Sequence, residues 1–265
     1  MPRHRDPGRS VGSKLLDVLF AFDAGHPRLS LADLVRRTGL PHATTRRLAL
    51  ELVEGGALER QADGRFAVGV KVWELGTLAP QTESLRRLAR PFIEDLNAAL
   101  HQHVQLAVLD GDEAVIVELV SAPGAVDVLS RVGGRTPLHC SASGKVLLSH
   151  ASPELVERVL DAPPRRYTPA TKTDPAVLRR ELAACRRTGT ATVRGELTPD
   201  ADSVAARILD RHGTVVAALS VVVRSGSVPL PHALPSVVAA GLGVSRRLGW
   251  QPGTPVRIGG ASSTQ

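Results

Sequence analysis

Apolar positions in the first third of the chain recur with the period of a helix. Leu15, Leu16, Val18, Leu19 and Phe22 form one stripe, with Ser13 placed to cap it and Gly25-His26-Pro27 placed to stop it. Ser30 caps a second helix in which Leu31, Leu34 and Val35 face a core while Arg36 and Arg37 face outward. Gly39 supplies the left-handed residue of a tight turn, and Pro41 suits the first turn of a third helix, where its missing N–H has no partner to lose. That helix turns Leu48, Leu52 and Val53 inward and ends at Gly55-Gly56. Short strands over 57–60 and 65–68 then fold about Asp63-Gly64, a hairpin signal.

Downstream the period alternates between helix and strand. An amphipathic helix over 85–100 presents Leu88, Phe92, Ile93 and Leu96. Strands follow at 103–109 and 113–120, turning at Asp110-Gly111-Asp112, and at 125–132. Helices are predicted near Ser141, near Pro153 and over 175–187, then strands at 190–193, 203–209 and 214–223, then a closing helix over 233–248. Hairpin strands interspersed with helices predict an α+β fold around an antiparallel sheet flanked by helices. The divisions expected are a basic N-terminal arm at 1–12, a helical and hairpin domain at 13–78, a connecting helix at 79–90, a second domain at 91–251 and a disordered tail at 252–265.

Composition narrows the classes. The 265 residues suffice for two cores, and 43% hydrophobic with 22% charged residues is a globular profile. No apolar run reaches the roughly 20 residues that span a bilayer, so no membrane partner is expected. The start of the chain has no apolar segment behind its positive charges, and two cysteines make no disulfide framework, so cytoplasm is the expected location. A net charge of +7 suits a polyanionic partner. Residues 1–80 hold 12 Lys/Arg against 9 Asp/Glu, so gross charge does not single out the N-terminal domain, although Arg3, Arg5, Arg9 and Lys14 cluster locally. Four Phe, two Trp and one Tyr leave few rings on which to stack single-stranded bases, so a duplex is the better nucleic-acid partner.

The arrangement over 13–69 is that of a winged helix-turn-helix, whose third helix enters a major groove by its N-terminal end. That end carries His42, Thr44, Thr45, Arg46 and Arg47. Either arginine can read a guanine edge, and the threonines can meet phosphate or a thymine methyl. Arg60 and Arg65 on the hairpin would meet phosphates or the minor groove. The competing explanation is a solvated helix face on a common three-helix motif; the hairpin directly after the third helix favours DNA.

A second feature is Pro137-Leu138-His139-Cys140-Ser141-Ala142-Ser143-Gly144-Lys145. Small residues crowd a helix start and leave backbone N–H groups uncovered, which favours a carboxylate or a phosphate; an ordinary capped helix would read the same way. A P-loop is excluded because His139 stands where Gly is needed and Val146 where Ser or Thr is needed. A nucleophile elbow is excluded because its serine would fall at Ala142. His101, His103, His139 and the two cysteines match no standard zinc spacing, so neither metal nor cofactor is expected. Lys145 is expected to be an ion-pair partner, not a catalytic amine.

The stretch "LSLADLVRRTGLPHATTRRLALELVEGGALER…GRFAVGVKVWELG" resembles the DNA-binding domain of IclR-type bacterial transcriptional regulators. The resemblance continues through "PLHCSASGKVLLSH" (137–150), "TKTDPAVLRRELAACRRTG" (171–189) and "DSVAARILDRHGTVVAALSV" (202–221), in the family's order and over about nine-tenths of the chain. It implies an N-terminal winged helix, a connecting helix, a C-terminal effector-binding domain and assembly into homodimers or homotetramers. It further implies that the helix start at Ser141, Ala142, Ser143 and Gly144 offers backbone donors to a small organic acid. Ser203 and Ser220 would add hydroxyls, and Val193, polar in some relatives, would suit a more apolar ligand. Asp200 and Arg207 depart from a frequent glycine and a frequent proline, and either would alter the loop over the pocket.

The function expected is a regulator that binds double-stranded operator DNA under the control of a small, carboxylate-bearing effector, with no catalytic residues. One rival is a ligand-independent DNA-binding or interaction protein with a vestigial pocket. Another is an enzyme acting on a small organic acid, for which no catalytic constellation is visible.

Overall fold

The computed structural model describes residues 10–258 except 24, 79, 127–129 and 162–163, with backbone alone at 80 and 81. The arginines of the basic arm and the final residues 259–265 lie outside the described residues. The chain divides between Glu83 and Ser84 into two compact units.

The first unit runs α1 (Val11–Phe20), β1 (Arg28–Leu29), α2 (Leu31–Thr38), α3 (His42–Glu54), β2 (Leu58–Arg60), β3 (Phe66–Val68) and α4 (Val70–Thr77). Helix α1 starts earlier than the spacing predicted, because Ser10 and not Ser13 is the cap: its Oγ accepts the Ser13 N–H at 3.0 Å. At α2 the capping is reciprocal. Ser30 Oγ accepts the Asp33 N–H and Asp33 Oδ2 accepts the Ser30 N–H, each at 3.1 Å. Gly39 then turns the chain at φ 67°, where a side chain would be strained. The β2–β3 hairpin gains β1 as a third strand in the order β1-β3-β2, a pairing too short to predict. Val18, Leu29, Leu34, Leu48, Leu58 and Phe66 close the core under these elements.

The second unit contains most of α5 (Pro80–Leu100), then β4 (His103–Asp110), β5 (Glu113–Val120), β6 (Arg135–Pro137), α6 (Ala142–Ser149), α7 (Pro153–Asp161), α8 (Pro175–Thr188), β7 (Thr190–Arg194), β8 (Ala201–Leu209), β9 (Val215–Arg224) and α9 (Leu230–Arg247). Six strands form one antiparallel sheet in the order β6-β5-β4-β9-β8-β7. Alternation sends Val104, Leu106, Val204, Ile208, Leu219 and Val221 to one face, beneath α5 and α9. The other face carries Ala107, Ala114, Ala205 and Ala218, in one cluster with α6, α7 and α8. Those alanines let α6 lie close on the sheet, and every residue of that helix is buried.

Two expectations fail here. The strand predicted over 125–132 is turn and irregular backbone at 125–126 and 130–132, while 127–129 lie outside the described residues; the edge strand is instead β6. The expected disordered tail is docked through residue 257, where the Arg257 N–H donates to Gly213 O at 2.8 Å.

Candidate functional site

In the first unit the start of α3 is the exposed, basic surface. His42, Arg46 and Arg47 are exposed and Thr44 is half-buried. Among the described residues Arg46 forms no ion pair, whereas Arg47 is held by Glu51 one turn along, at 2.5 Å. Arg60 on β2 is likewise exposed without an ion-pair partner among the described residues, and Arg65 lies 3.7 Å from Asp63. Thr45 corrects the sequence reading. It is fully buried, and its hydroxyl donates to Leu40 O and Pro41 O at 3.3 and 3.2 Å, closing the turn between the helices. Thr45, Leu48, Ala49 and Leu52 share the buried stripe of α3, and that spacing was legible.

In the second unit the turn from β6 to α6 carries four of the predicted ligand-facing residues, Ser141, Ala142, Ser143 and Gly144. Ser141 is the N-cap: its Oγ donates to Pro137 O at 2.7 Å and accepts the Gly144 N–H at 3.1 Å. The Gly144 donor is therefore consumed within the turn, against expectation. Gly144 is needed for a steric reason, since a Cβ there would lie 2.4 Å from Ser141 Oγ and 2.6 Å from Pro137 O. Among the described residues no hydrogen bond reaches the N–H groups of Ala142 and Ser143, the first two of the helix. They are the donors this helix end presents, reinforced by its dipole.

Facing the helix cluster, the sheet lays its residues in rows. Gln105 pairs with Ser220, and Ser220 with Ala205. One step along, His103 pairs with Val222, Val222 with Ser203, and Ser203 with Val193. Ser203, Ser220 and Val193 thus share one surface with two residues that sequence reasoning had not assigned to the pocket, His103 and Gln105. Strand alternation was the signal available: both lie at even steps from Ala107 on the helix-facing side.

A charged cluster fixes the surroundings. Lys145 Nζ donates to Glu181 Oε2 at 2.7 Å and to both oxygens of Glu196 at 2.9 Å. Lys172 joins through Glu181 and through Glu196, the latter at 3.2 Å. Burial alone would raise the Glu181 carboxyl, but hydrogen bonds and charge from both lysines hold it below its ordinary range. Thr168 and Thr171 donate to Gly195 O and Glu196 O, each at 2.6 Å, and His139 Nε2 donates to Arg165 O at 3.0 Å. Burial pushes the His139 imidazole down and the Cys140 thiol up to about 12, so the thiol stays protonated near neutrality. Arg207 is not in a loop over the pocket. It lies within β8 and donates to His150 Nε2 at 3.2 Å, at the opposite end of α6. Asp200 is an exposed turn residue before β8.

Known families divide the chain as the fold does. The helix-turn-helix domain of IclR matches residues 13–62, and the C-terminal domain of the bacterial transcriptional regulator IclR matches residues 79–239. The chain belongs to the IclR family. It is a transcriptional regulator with a helix-turn-helix DNA-binding domain. It is 30% identical to the HTH-type transcriptional regulator KipR of Bacillus subtilis, over 84% of this chain and 91% of that one. The transcriptional repressor IclR of Escherichia coli is 29% identical over 73% of this chain and 72% of its own. Among solved structures, an IclR homologue from Microbacterium hydrocarbonoxydans in complex with 4-hydroxybenzoate superposes with a TM-score of 0.85 at 36% identity, covering 90% of this chain and 99% of that one. A putative IclR regulator from Silicibacter gives 0.82 at 30% identity, covering 93% and all of the two chains. Among the described residues of this IclR-family chain no helix is long and apolar enough to cross a membrane.

Proposed function

We propose that this IclR-family protein is a cytoplasmic homo-oligomer, a dimer or tetramer, that grips duplex operator DNA with α3 and the wing and changes its grip when a small carboxylic acid binds at the start of α6. The observation that carries the effector reading is the pair of N–H groups at Ala142 and Ser143, uncommitted among the described residues, on a helix that is buried along its whole length. An uncovered helix start in a dry setting favours an anion. The relative that holds 4-hydroxybenzoate supports the same class of ligand. On the DNA side Arg46 is the base reader and Arg60 and Arg65 contact the backbone, with His42, Thr44 and Arg47 flanking. A second copy of the chain covers part of the apolar surface of the first unit, where Phe20 is 74%, Trp73 69% and Leu78 71% exposed. The C-terminal domain binds its acid without turning it over.

An acid alters operator affinity only by binding the two arrangements of the protein unequally. The test uses the full chain with genomic fragments that it enriches. An acid that raises the melting temperature should also shift the operator titration, and the isolated protein should sediment as a dimer or tetramer. A monomer, or an acid that stabilises the protein while operator affinity stays fixed, would contradict this reading.

A further inference from the structure

On the effector-side face of the sheet three buried side chains have atoms without a hydrogen-bond partner among the described residues. Thr136 Oγ1 lies on the edge strand β6 opposite Ala114, while His103 Nδ1 and Gln105 Nε2 share β4, where the residues are 8% and 4% exposed. Buried polar atoms are almost always paired, so two unpartnered ones on neighbouring positions of a single strand face require an explanation. They stand two residues apart on β4, opposite Val222 and Ser220.

Their chemistry is complementary. His103 Nε2 lies 2.6 Å from Val126 O, and because a carbonyl only accepts, Nε2 carries the proton. In that tautomer the other nitrogen, Nδ1, is an acceptor. Gln105 Nε2 is a donor. An acceptor and a donor two residues apart on one strand face match a hydroxyl group, which gives its proton to one and accepts a hydrogen bond from the other. A carboxylate fits poorly, because it has nothing to offer Nδ1.

We infer that His103 and Gln105 form a hydroxyl-reading station in the effector pocket, so the effector is a hydroxylated carboxylic acid. This rests on the proposal that a carboxylate occupies the start of α6. The acid end meets Ala142 and Ser143, and the hydroxyl end meets the β4 pair across the floor that carries Ser220 and Ser203. An acid of the same shape without the hydroxyl leaves both atoms buried and unpaired, which weakens binding roughly tenfold to a hundredfold.

The experiment is calorimetric titration of the full-length protein with matched acids: benzoate against 3- and 4-hydroxybenzoate, and butyrate against 4-hydroxybutyrate. The wild-type protein should bind one hydroxy acid at least about tenfold more tightly than its unhydroxylated partner. In Gln105→Leu and in His103→Phe that ratio should fall towards one through loss of hydroxy-acid affinity, with binding of the parent acid retained as the sign of an intact pocket. Equal affinities for both members of every pair in the wild type overturn the hydroxyl station alone, as does a ratio that survives both substitutions. Binding of no acid in either set overturns the carboxylate reading at α6, and this inference with it.

Discussion

Lys145 Nζ lies 2.9 Å from both carboxylate oxygens of Glu196, and the two side chains are 3% and 2% exposed. The pair ties the second turn of α6 to the segment between β7 and β8, beside the proposed ligand end of the helix. Removing Lys145 leaves the buried Glu196 only the longer contact to the half-exposed Lys172, which costs up to about 3–5 kcal/mol, whereas removing both partners is milder. Lys145→Met should therefore destabilise the second unit strongly in urea unfolding, and Lys145→Met with Glu196→Gln should recover much of the loss. Additive losses would show that the pair is not coupled.

The same cluster sets an acid response. Glu181 titrates below its ordinary 4.5 in the folded protein. A carboxyl depressed by folding contributes stability above its unfolded pKa and loses it as the pH falls through the folded value. The stability gap between wild type and Glu181→Gln should be constant above about pH 5 and close on further acidification. Asp33, held at about 2 by the Ser30 hydroxyl and N–H and by Arg36, should behave likewise in the first unit. Its capping partner gives a separate check, since Ser30→Ala should cost about 1 kcal/mol.

Burial raises both thiols, Cys140 to about 12, and both cysteines are buried. A thiol reagent at pH 8 should leave the native protein unmodified and titrate both cysteines once it is unfolded. Fast labelling of the native protein would mean that the core around α6 opens readily.

Gly144→Ala should damage the α6 turn, because the new methyl carbon would sit 2.6 Å from Pro137 O and closer still to Ser141 Oγ. Overpacking of this kind costs about 1–3 kcal/mol, and displacing the helix start should weaken acid binding as well. Retained stability and unchanged acid affinity would contradict the placement of the ligand.

Much of this was legible because it is local. The Ser30 and Asp33 box, the Gly39 turn and the hairpin around Asp63-Gly64 are written in a few adjacent residues. The surprises are tertiary. Lys145 finds Glu181 and Glu196 across 36 and 51 residues, separations that no periodicity reports. Strand β1 exists only because β3 lies beside it. Thr45 is a different kind of miss: a polar residue on an apolar stripe, assigned to DNA by its chemistry although its spacing placed it inside. His103 fits no zinc spacing and Gln105 belongs to no motif, and their unpaired atoms emerge only once the strand is folded.

The exposed start of α3 is the proposed reader of the operator. Its most direct test is an operator titration at fixed salt with wild type and Arg46→Ala, whose side chain is exposed and free of any ion pair among the described residues. Loss of one base-reading arginine should weaken specific binding by about 1–3 kcal/mol while leaving the melting temperature and acid binding unchanged. Wild-type operator affinity in Arg46→Ala, measured in that same titration, would contradict the assignment.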